Sequence, residues 1–314
     1  MKVSVLITTY NREKYIAQAL ESVLKQNVNF EYEIIVGEDN STDNTRKILL
    51  TYIKEFPQKI RVLLHAINIK ASKNLYSIFQ ISQGEYIALL DSDDYWTSQF
   101  KLQRQADFMD VNPEYSICFH DSKHFYQDES KDNWFVSLPR NSNTFNIQDL
   151  RRPFIPTSST MLRRNVLKDL PSWYSESRSL EWPLHIIFSQ FGKIGYIREV
   201  MSATRIHKDG AWNGLSLIEQ YKKAIHQQEL TYKNVPLLRK SLRIELCELY
   251  FKLANETFCN GNIKESRAAL VKSFTKSVRH PHIRINDRIK LFLKVFMPNL
   301  FLLLLNFKKR LSNV

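Results

Sequence analysis

Glu85-Tyr-Ile-Ala-Leu-Leu-Asp-Ser-Asp-Asp-Tyr-Trp96 is the stretch on which the reading of this 314-residue chain turns. Tyr86 to Leu90 is a short apolar run of the kind that forms a strand buried on both faces. It stops at Asp91, Asp93 and Asp94, carboxylates that a buried strand cannot hold unpaired. Asp91 and Asp93 are two residues apart, so in an extended segment they face the same way. Such a pair suits Mg²⁺ or Mn²⁺ and leaves coordination positions open for phosphate oxygens. The plain alternative is a solvated acidic turn that caps the next helix.

Working outward, Val3 to Ile7 reads as a strand ending at Thr8-Thr9-Tyr10-Asn11, with Asn11 as N-cap of a helix carrying apolar residues at 15, 16, 19, 20, 23 and 24. Tyr32 to Val36 is a second strand, running into Gly37-Glu38-Asp39-Asn40-Ser41, and Ile48, Leu49, Tyr52 and Ile53 mark a second helix. Arg61 to Leu64 is a third strand, followed by a polar loop through Asn68, Lys70 and Lys73 and a helix burying Leu75, Ile78 and Phe79. Alternation of this kind implies an α/β fold with a largely parallel sheet, whose ligands sit at the carboxyl ends of the strands. No Gly-x-Gly-x-x-Gly or Walker loop occurs, which argues against a dinucleotide or P-loop site.

Composition sets outer limits. Hydrophobic content of 43% and charged content of 25% are those of a globular protein, and seven glycines argue against long linkers. Lysine and arginine exceed the acids by 45 − 32 = 13, which favours anionic partners. Cys118, Cys247 and Cys259 are few and scattered, so neither a disulfide framework nor a zinc site is expected, and a reducing, cytoplasmic setting fits. No basic stretch followed by an apolar core opens the chain, so no signal peptide is expected.

Three motifs then carry a resemblance. Val5-Leu-Ile-Thr-Thr-Tyr-Asn-Arg12, Ile35-Val-Gly-Glu-Asp-Asn-Ser-Thr-Asp-Asn-Thr45 and Gly84 to Trp96 resemble the family-2 glycosyltransferases of the GT-A fold, in order and spacing, over about the first two thirds of the chain. The resemblance implies a Rossmann-like, mostly parallel sheet flanked by helices, a nucleotide-diphospho-sugar donor and inverting transfer to an acceptor hydroxyl. It implies that Thr8, Tyr10, Asn11, Glu38, Asp39, Lys73, Asp91 and Ser92 line the donor site, with Asp39 accepting the N–H of the base. A carboxylate there suits the imide of uracil, hence UDP. Asp93 matches the metal-coordinating residue, and Asp94 lies toward the acceptor.

Further along, Ile155 to Arg163 resembles the acceptor-side strand, with Ser158 and Ser159 close to a sugar; a plain strand fits equally well. Ser179-Leu-Glu-Trp-Pro-Leu-His185 opens a helix where the family commonly carries an Asp as general base; here Glu181 takes that place, followed by Trp182. Glu is ionised near neutral pH and competent to take a proton, though it is one methylene longer. Its plain reading is an ordinary helix-start Glu. Tyr196 to Arg205 reads as a strand leading to His207, a candidate metal ligand in the family's closing loop or a plain loop histidine, and Trp96 and Trp212 are candidate walls of a sugar site or anchors of their loops.

From Leu217 the pattern is helical, with one tetratricopeptide-like hairpin turning at Gly261-Asn262. The apolar and basic tail, Ile289 to Arg310, is too interrupted to span a bilayer and suits an interfacial helix on an anionic membrane surface, with a buried terminal helix as the alternative. The expected domains are a catalytic domain at 1–213, an all-helical extension at 214–285 and the tail at 286–314. The expected protein is a cytoplasmic glycosyltransferase, peripheral at the inner membrane face, using Mn²⁺ or Mg²⁺ to glycosylate a glycan or lipid-linked acceptor. Two rivals remain at this stage: a nucleotidyltransferase built on the same carboxylate-metal site, and a basic nucleic-acid-binding protein, against which stands the absence of any nucleic-acid module.

Overall fold

The computed structural model describes residues 1–136, 142–151, 155–208, 210, 214–277 and 283–311, with side chains through 304. Trp212 lies outside the described residues. The chain forms two compact units, Met1–Asn213 and Gly214–Val314.

The first unit begins with β1 (Val3–Thr9), α1 (Ile16–Leu24), β2 (Tyr32–Glu38), α2 (Thr45–Glu55), β3 (Ile60–Leu64), α3 (Ala71–Gln80) and β4 (Tyr86–Asp91). There follow β5 (Tyr95–Trp96), α4 (Lys101–Val111), β6 (Tyr115–Tyr126), β7 (Trp134–Val136), β8 (Thr144–Phe145), β9 (Met161–Arg163), α5 (Glu181–Phe188) and β10 (Lys193–Ile206). They make one sheet of order β3-β2-β1-β4-β9-β6-β10-β5, with β7 on β6 and β8 on β10. β1, β2 and β4 are apolar on both faces because helices cover both sides, and Val3, Val5, Ile7, Ile34, Val36 and Ala88 are inaccessible to solvent.

The sheet is parallel from β3 through β4 and again between β6 and β10. It departs from the largely parallel expectation at β9, which runs antiparallel to both β4 and β6. The reason is local. The segment expected to be a strand from Ile155 is instead a 3₁₀ turn at Thr157–Ser159, so only Met161–Arg163 pairs, and it returns without a helical crossover. β10 carries register shifts between Ile197 and Ser202, and its far half reaches β5 at Ser202 and Ala203. That bend delivers Thr204 to Ile206 to the carboxyl edge of the sheet.

The second unit is helical: α6 (Leu217–Asn234), α7 (Arg239–Cys259), α8 (Ile263–Lys276), α9 (Ile285–Phe296) and α10 (Pro298–Leu311). Its core joins Leu246, Tyr250 and Ala254 to Leu270, Leu291 and Val295. α7 and α8 form the expected hairpin: Gly261 adopts φ +77°, and the Asn262 side chain caps α8 by accepting the Glu265 N–H. The tail is two helices, not one, because Pro298 cannot continue α9. Among the described residues no helix is long and apolar enough to cross a membrane.

Candidate active site

Strand register builds the site. Thr8 at the end of β1 stands opposite Gly37 on one side and Asp91 on the other, and Thr9 stands opposite Glu38. Thr9 also accepts the Asp39 N–H through its carbonyl at 3.0 Å. Parallel strands of matched length thus bring residues far apart in sequence to one edge, the position at which α/β sheets bind ligands.

In the loop after β1, Tyr10 is 42% exposed, enough to offer a ring face to a ligand. Asn11 does not cap α1, which begins after Tyr15 with no side-chain cap. Instead Asn11 sits at φ +53° and its Oδ1 accepts the Thr42 N–H at 2.8 Å, stitching the β1 and β2 loops together. Glu38 is fully buried; its carboxylate accepts the Ser41 N–H at 2.6 Å and pairs with Arg46, so it shapes the loop from within. Asp39 accepts the N–H groups of Ile69 at 2.7 Å and Lys70 at 3.0 Å, holding Lys70 at φ +77°. Lys73 belongs to α3 rather than to the loop before it, and is exposed. Ser92 is buried in the turn after β4.

The acids after β4 converge. The Asp94 N–H donates to the Asp91 carbonyl at 3.0 Å, folding Asp91, Ser92, Asp93 and Asp94 into a tight turn. Asp93 Oδ2 accepts Arg12 Nε at 2.9 Å and lies 3.0 Å from His207 Nε2. Burial alone would raise the Asp93 carboxyl, but the His207 hydrogen bond and the Arg12 charge hold it below the usual carboxylate range. Asp94 accepts the Arg205 N–H at 2.9 Å and the Thr204 hydroxyl at 3.0 Å. Burial and the Asp93 charge nevertheless push its carboxyl up to about 7. Asp91 is driven well above the usual range by burial, then by the charges of Asp94, Asp93 and Glu181, against a hydrogen bond from Thr157.

Glu181 is the first residue of α5, placed by a 3.0 Å hydrogen bond from the Tyr174 hydroxyl to the Leu180 carbonyl. Its charge adds to the upward pressure on the Asp91 carboxyl and the Tyr174 hydroxyl. Ser158 and Ser159 are buried in the 3₁₀ turn beneath Asp94. Trp96 and Trp182 are not walls of an open site. Each is almost fully buried, and their indole N–H groups donate to the carbonyls of Ser158 at 2.9 Å and Leu150 at 2.8 Å. They anchor the acceptor-side loops from below.

Sequence reading missed Arg12, Thr157, Thr204 and Arg205, all of which touch the acids. All four stood inside segments already read as motif or strand, but none was given a role there, because the contacts that give them one join segments far apart in sequence.

A divalent cation fits these residues, although among the described residues no three His, Cys, Asp or Glu side chains form a ready cage. Asp93 and His207 are a carboxylate and an imidazole already within 3.0 Å of each other. His207 Nδ1 is buried without a hydrogen-bond partner, and the acids raise one another's carboxyls. A cation would relieve that repulsion, with diphosphate oxygens and water completing an open coordination sphere.

A sequence model described as Glycosyl transferase family 2 matches residues 4–171. An uncharacterized protein of Mycobacterium tuberculosis (strain H37Rv) is 34% identical over 211 residues, which are 67% of this chain and 60% of that protein. This chain therefore spans about 60% of the length of that relative. TarS of Staphylococcus aureus, a poly(ribitol-phosphate) beta-N-acetylglucosaminyltransferase, is 35% identical over 111 residues, 35% of this chain and 19% of TarS. The structure of TarS residues 1–349 with UDP superposes with a TM-score of 0.60 at 20% identity, covering 88% of this chain and 81% of that one. A Pyrobaculum calidifontis mannosyltransferase with GDP-Man and Mn²⁺ gives 0.59 at 14% identity, covering 88% and 76%. At these identities the structural likeness speaks for a shared fold.

Proposed function

The chain belongs to Glycosyl transferase family 2, and on that premise we propose that it moves a sugar from a nucleotide-diphospho-sugar to an acceptor hydroxyl of a cell-surface polysaccharide or glycolipid, with inversion at the anomeric carbon. The observation that carries this reading is the gathering of Asp91, Asp93 and Asp94 in one tight turn at the carboxyl edge of the sheet, with Asp93 3.0 Å from His207.

In this reaction the acceptor oxygen attacks the anomeric carbon as the bond to the diphosphate breaks, and Glu181 takes the hydroxyl proton. The base acts from the start of α5, where the helix N-terminus favours its charged form. Tyr10, Asn11 and Asp39 hold the nucleotide, while Asp94 and the turn at Ser158 and Ser159 line the acceptor side. Asp93 and His207 would hold Mn²⁺ or Mg²⁺, which when bound would supply charge stabilisation for a departing diphosphate. UDP is the nucleotide best supported: Asp39 offers an acceptor for an imide N–H, and the TarS structure of the same fold contains UDP. In the second unit, α9 and α10 expose Ile289, Phe292, Leu302 and Leu303 on segments rich in lysine, which supports peripheral placement at an anionic inner membrane face.

The test is a panel of nucleotide sugars incubated with Mn²⁺ or Mg²⁺, scoring released nucleoside diphosphate for wild type and Asp93→Ala. Metal-dependent UDP release from one sugar, lost in the variant, is the expected outcome. A parallel incubation with nucleoside triphosphates and sugar 1-phosphates that releases pyrophosphate would assign a nucleotidyltransferase instead. Absence of both turnover and UDP binding by calorimetry would end the glycosyltransferase reading.

A further inference from the structure

Arg12 has no role in the reaction as described, yet its guanidinium stands in the acidic turn. Its main chain is fixed: the N–H donates to Thr45 Oγ1 at 2.8 Å, and the carbonyl accepts the Tyr15 and Ile16 N–H groups at 3.0 and 2.9 Å. Its side chain reaches across the crevice, with Nη1 on the Asn11 carbonyl at 3.1 Å and Nε on Asp93 Oδ2 at 2.9 Å. That oxygen is the one His207 approaches at 3.0 Å.

Arg205, the other guanidinium beside the turn, is held differently. It donates to the Asp93 carbonyl at 3.0 Å and to the side chains of Gln18 and Gln127, and it lies over the rings of Tyr15 and Phe125 at 4.8 and 4.9 Å. Arg205 is a structural clamp on the backbone of the turn. Arg12, by contrast, engages the Asp93 carboxylate oxygen that also faces His207, the other candidate cation ligand. A divalent ion and a guanidinium cannot share one oxygen at hydrogen-bond distance without strong repulsion. When the ion arrives, the guanidinium must leave, and a planar, always-charged fork suits a diphosphate better than any other anion entering the crevice.

We propose that Arg12 is an exchangeable counter-charge: it holds Asp93 before substrate binds and transfers to the donor diphosphate when the cation takes Asp93. The proposal rests on the reading of Asp93 as a cation ligand. Its consequence is that cation and nucleotide bind cooperatively, each raising the affinity of the other by the same factor. Arg12 also moves toward the charge that grows on the leaving group, which makes it a contributor to leaving-group stabilisation.

The test measures binding, not turnover. Mn²⁺ is titrated into the full chain by electron paramagnetic resonance of the free ion, with and without UDP. UDP binding is measured by calorimetry with and without Mn²⁺. Wild type is expected to bind Mn²⁺ weakly alone and about 5–150-fold more tightly with UDP, the usual range of such coupling. Arg12→Gln is expected to bind Mn²⁺ alone about tenfold more tightly, to bind UDP about tenfold more weakly, and to show a coupling factor well below that of wild type, the remainder being the direct attraction of ion and diphosphate. Arg12→Lys keeps the charge but not the fork, so it retains weak Mn²⁺ binding while losing part of the UDP affinity. It decides the matter if the glutamine variant does not fold. Coupling unchanged in a folded Arg12 variant, or Mn²⁺ binding alone weakened rather than strengthened, overturns the proposal and makes Arg12 a structural tie. Wild type that binds neither ligand refutes the underlying site reading, a failure distinct from the loss of coupling alone.

Discussion

The two edges of one sheet treat acids in opposite ways. At the amino edge, Glu33 accepts the Ser4 hydroxyl at 2.6 Å, the Gln83 N–H at 2.9 Å and Arg61 at 3.0 Å. Beside it Lys2 bridges Glu85 at 2.8 Å and Asp110 at 2.7 Å, and Asp110 also accepts the Tyr86 hydroxyl at 2.6 Å. Each of these acids faces a cation or several donors. At the carboxyl edge three acids crowd one turn: Asp93 has Arg12 and His207 as partners, but Asp91 and Asp94 beside it are pushed toward protonation by burial and by neighbouring acids. Partnered acids hold the strands together; acids crowded against each other cost the fold free energy that a ligand can relieve.

The comparison breaks or sharpens under four substitutions. The largest effect belongs to Glu181→Gln, which is expected to slow sugar transfer about 10²–10⁴-fold, the span of general base catalysis, while UDP affinity by calorimetry stays at the wild-type value. An unaltered rate would move the base elsewhere.

Lys101 is the inverse case, a cation sealed in the core. Its Nζ has no hydrogen-bond partner, and it lies 3.9 Å from the Trp96 ring. Burial pulls its ammonium down to about 7. The unfolded chain therefore holds a proton between pH 7 and 10.5 that the folded chain lacks, and stability rises with pH across that window, by at most about 1.4 kcal/mol per unit. Lys101→Met is expected to add about 1–4 kcal/mol at pH 7 and to remove that slope, both read from urea denaturation at several pH values.

Glu33→Gln, at the partnered edge, is expected to lose about 1–3 kcal/mol in urea with turnover unchanged, since it strands donors far from the reacting atoms. Asp91→Asn, at the crowded edge, should do the opposite. Stability measured without added cation is expected to rise by about 0.5–2 kcal/mol while turnover falls. If both variants shift stability in the same direction, the contrast between the edges is not electrostatic.

What could be read from sequence followed from local pattern. The apolar run before Asp91 set the strand length, and the matched runs of β1 and β2 brought Thr8 and Gly37 level with it. What escaped was pairing across long separations. Arg12 and Asp93 are 81 residues apart, and nothing in either neighbourhood announces the contact. Trp96 read as a wall of a sugar site or an anchor of its loop, and Trp182 as an acceptor-side residue, because an indole serves equally well in a core, and only the carbonyls of Ser158 and Leu150 reveal which use was made of them. Glu38 could not be told from an exposed acid, since Arg46 meets it only after α2 has folded back. Ser158 and Ser159 looked like strand, and the turn is set by the Ser159 hydroxyl and N–H and the Thr160 hydroxyl, which all donate to the Pro156 carbonyl.

The contact between His207 and Asp93, 114 residues apart, also has a meaning for how the protein is made. At 5–20 residues per second a ribosome needs roughly 6–23 s to pass from the acidic turn to its last partners. During that interval β1 to β4 can pair, but Thr204, Arg205 and His207 are not yet available to Asp93 and Asp94. The nascent sheet is thus complete along its partnered edge well before its acidic edge is closed. A fragment ending at residue 171, where the family match ends, would lack both Glu181 and His207.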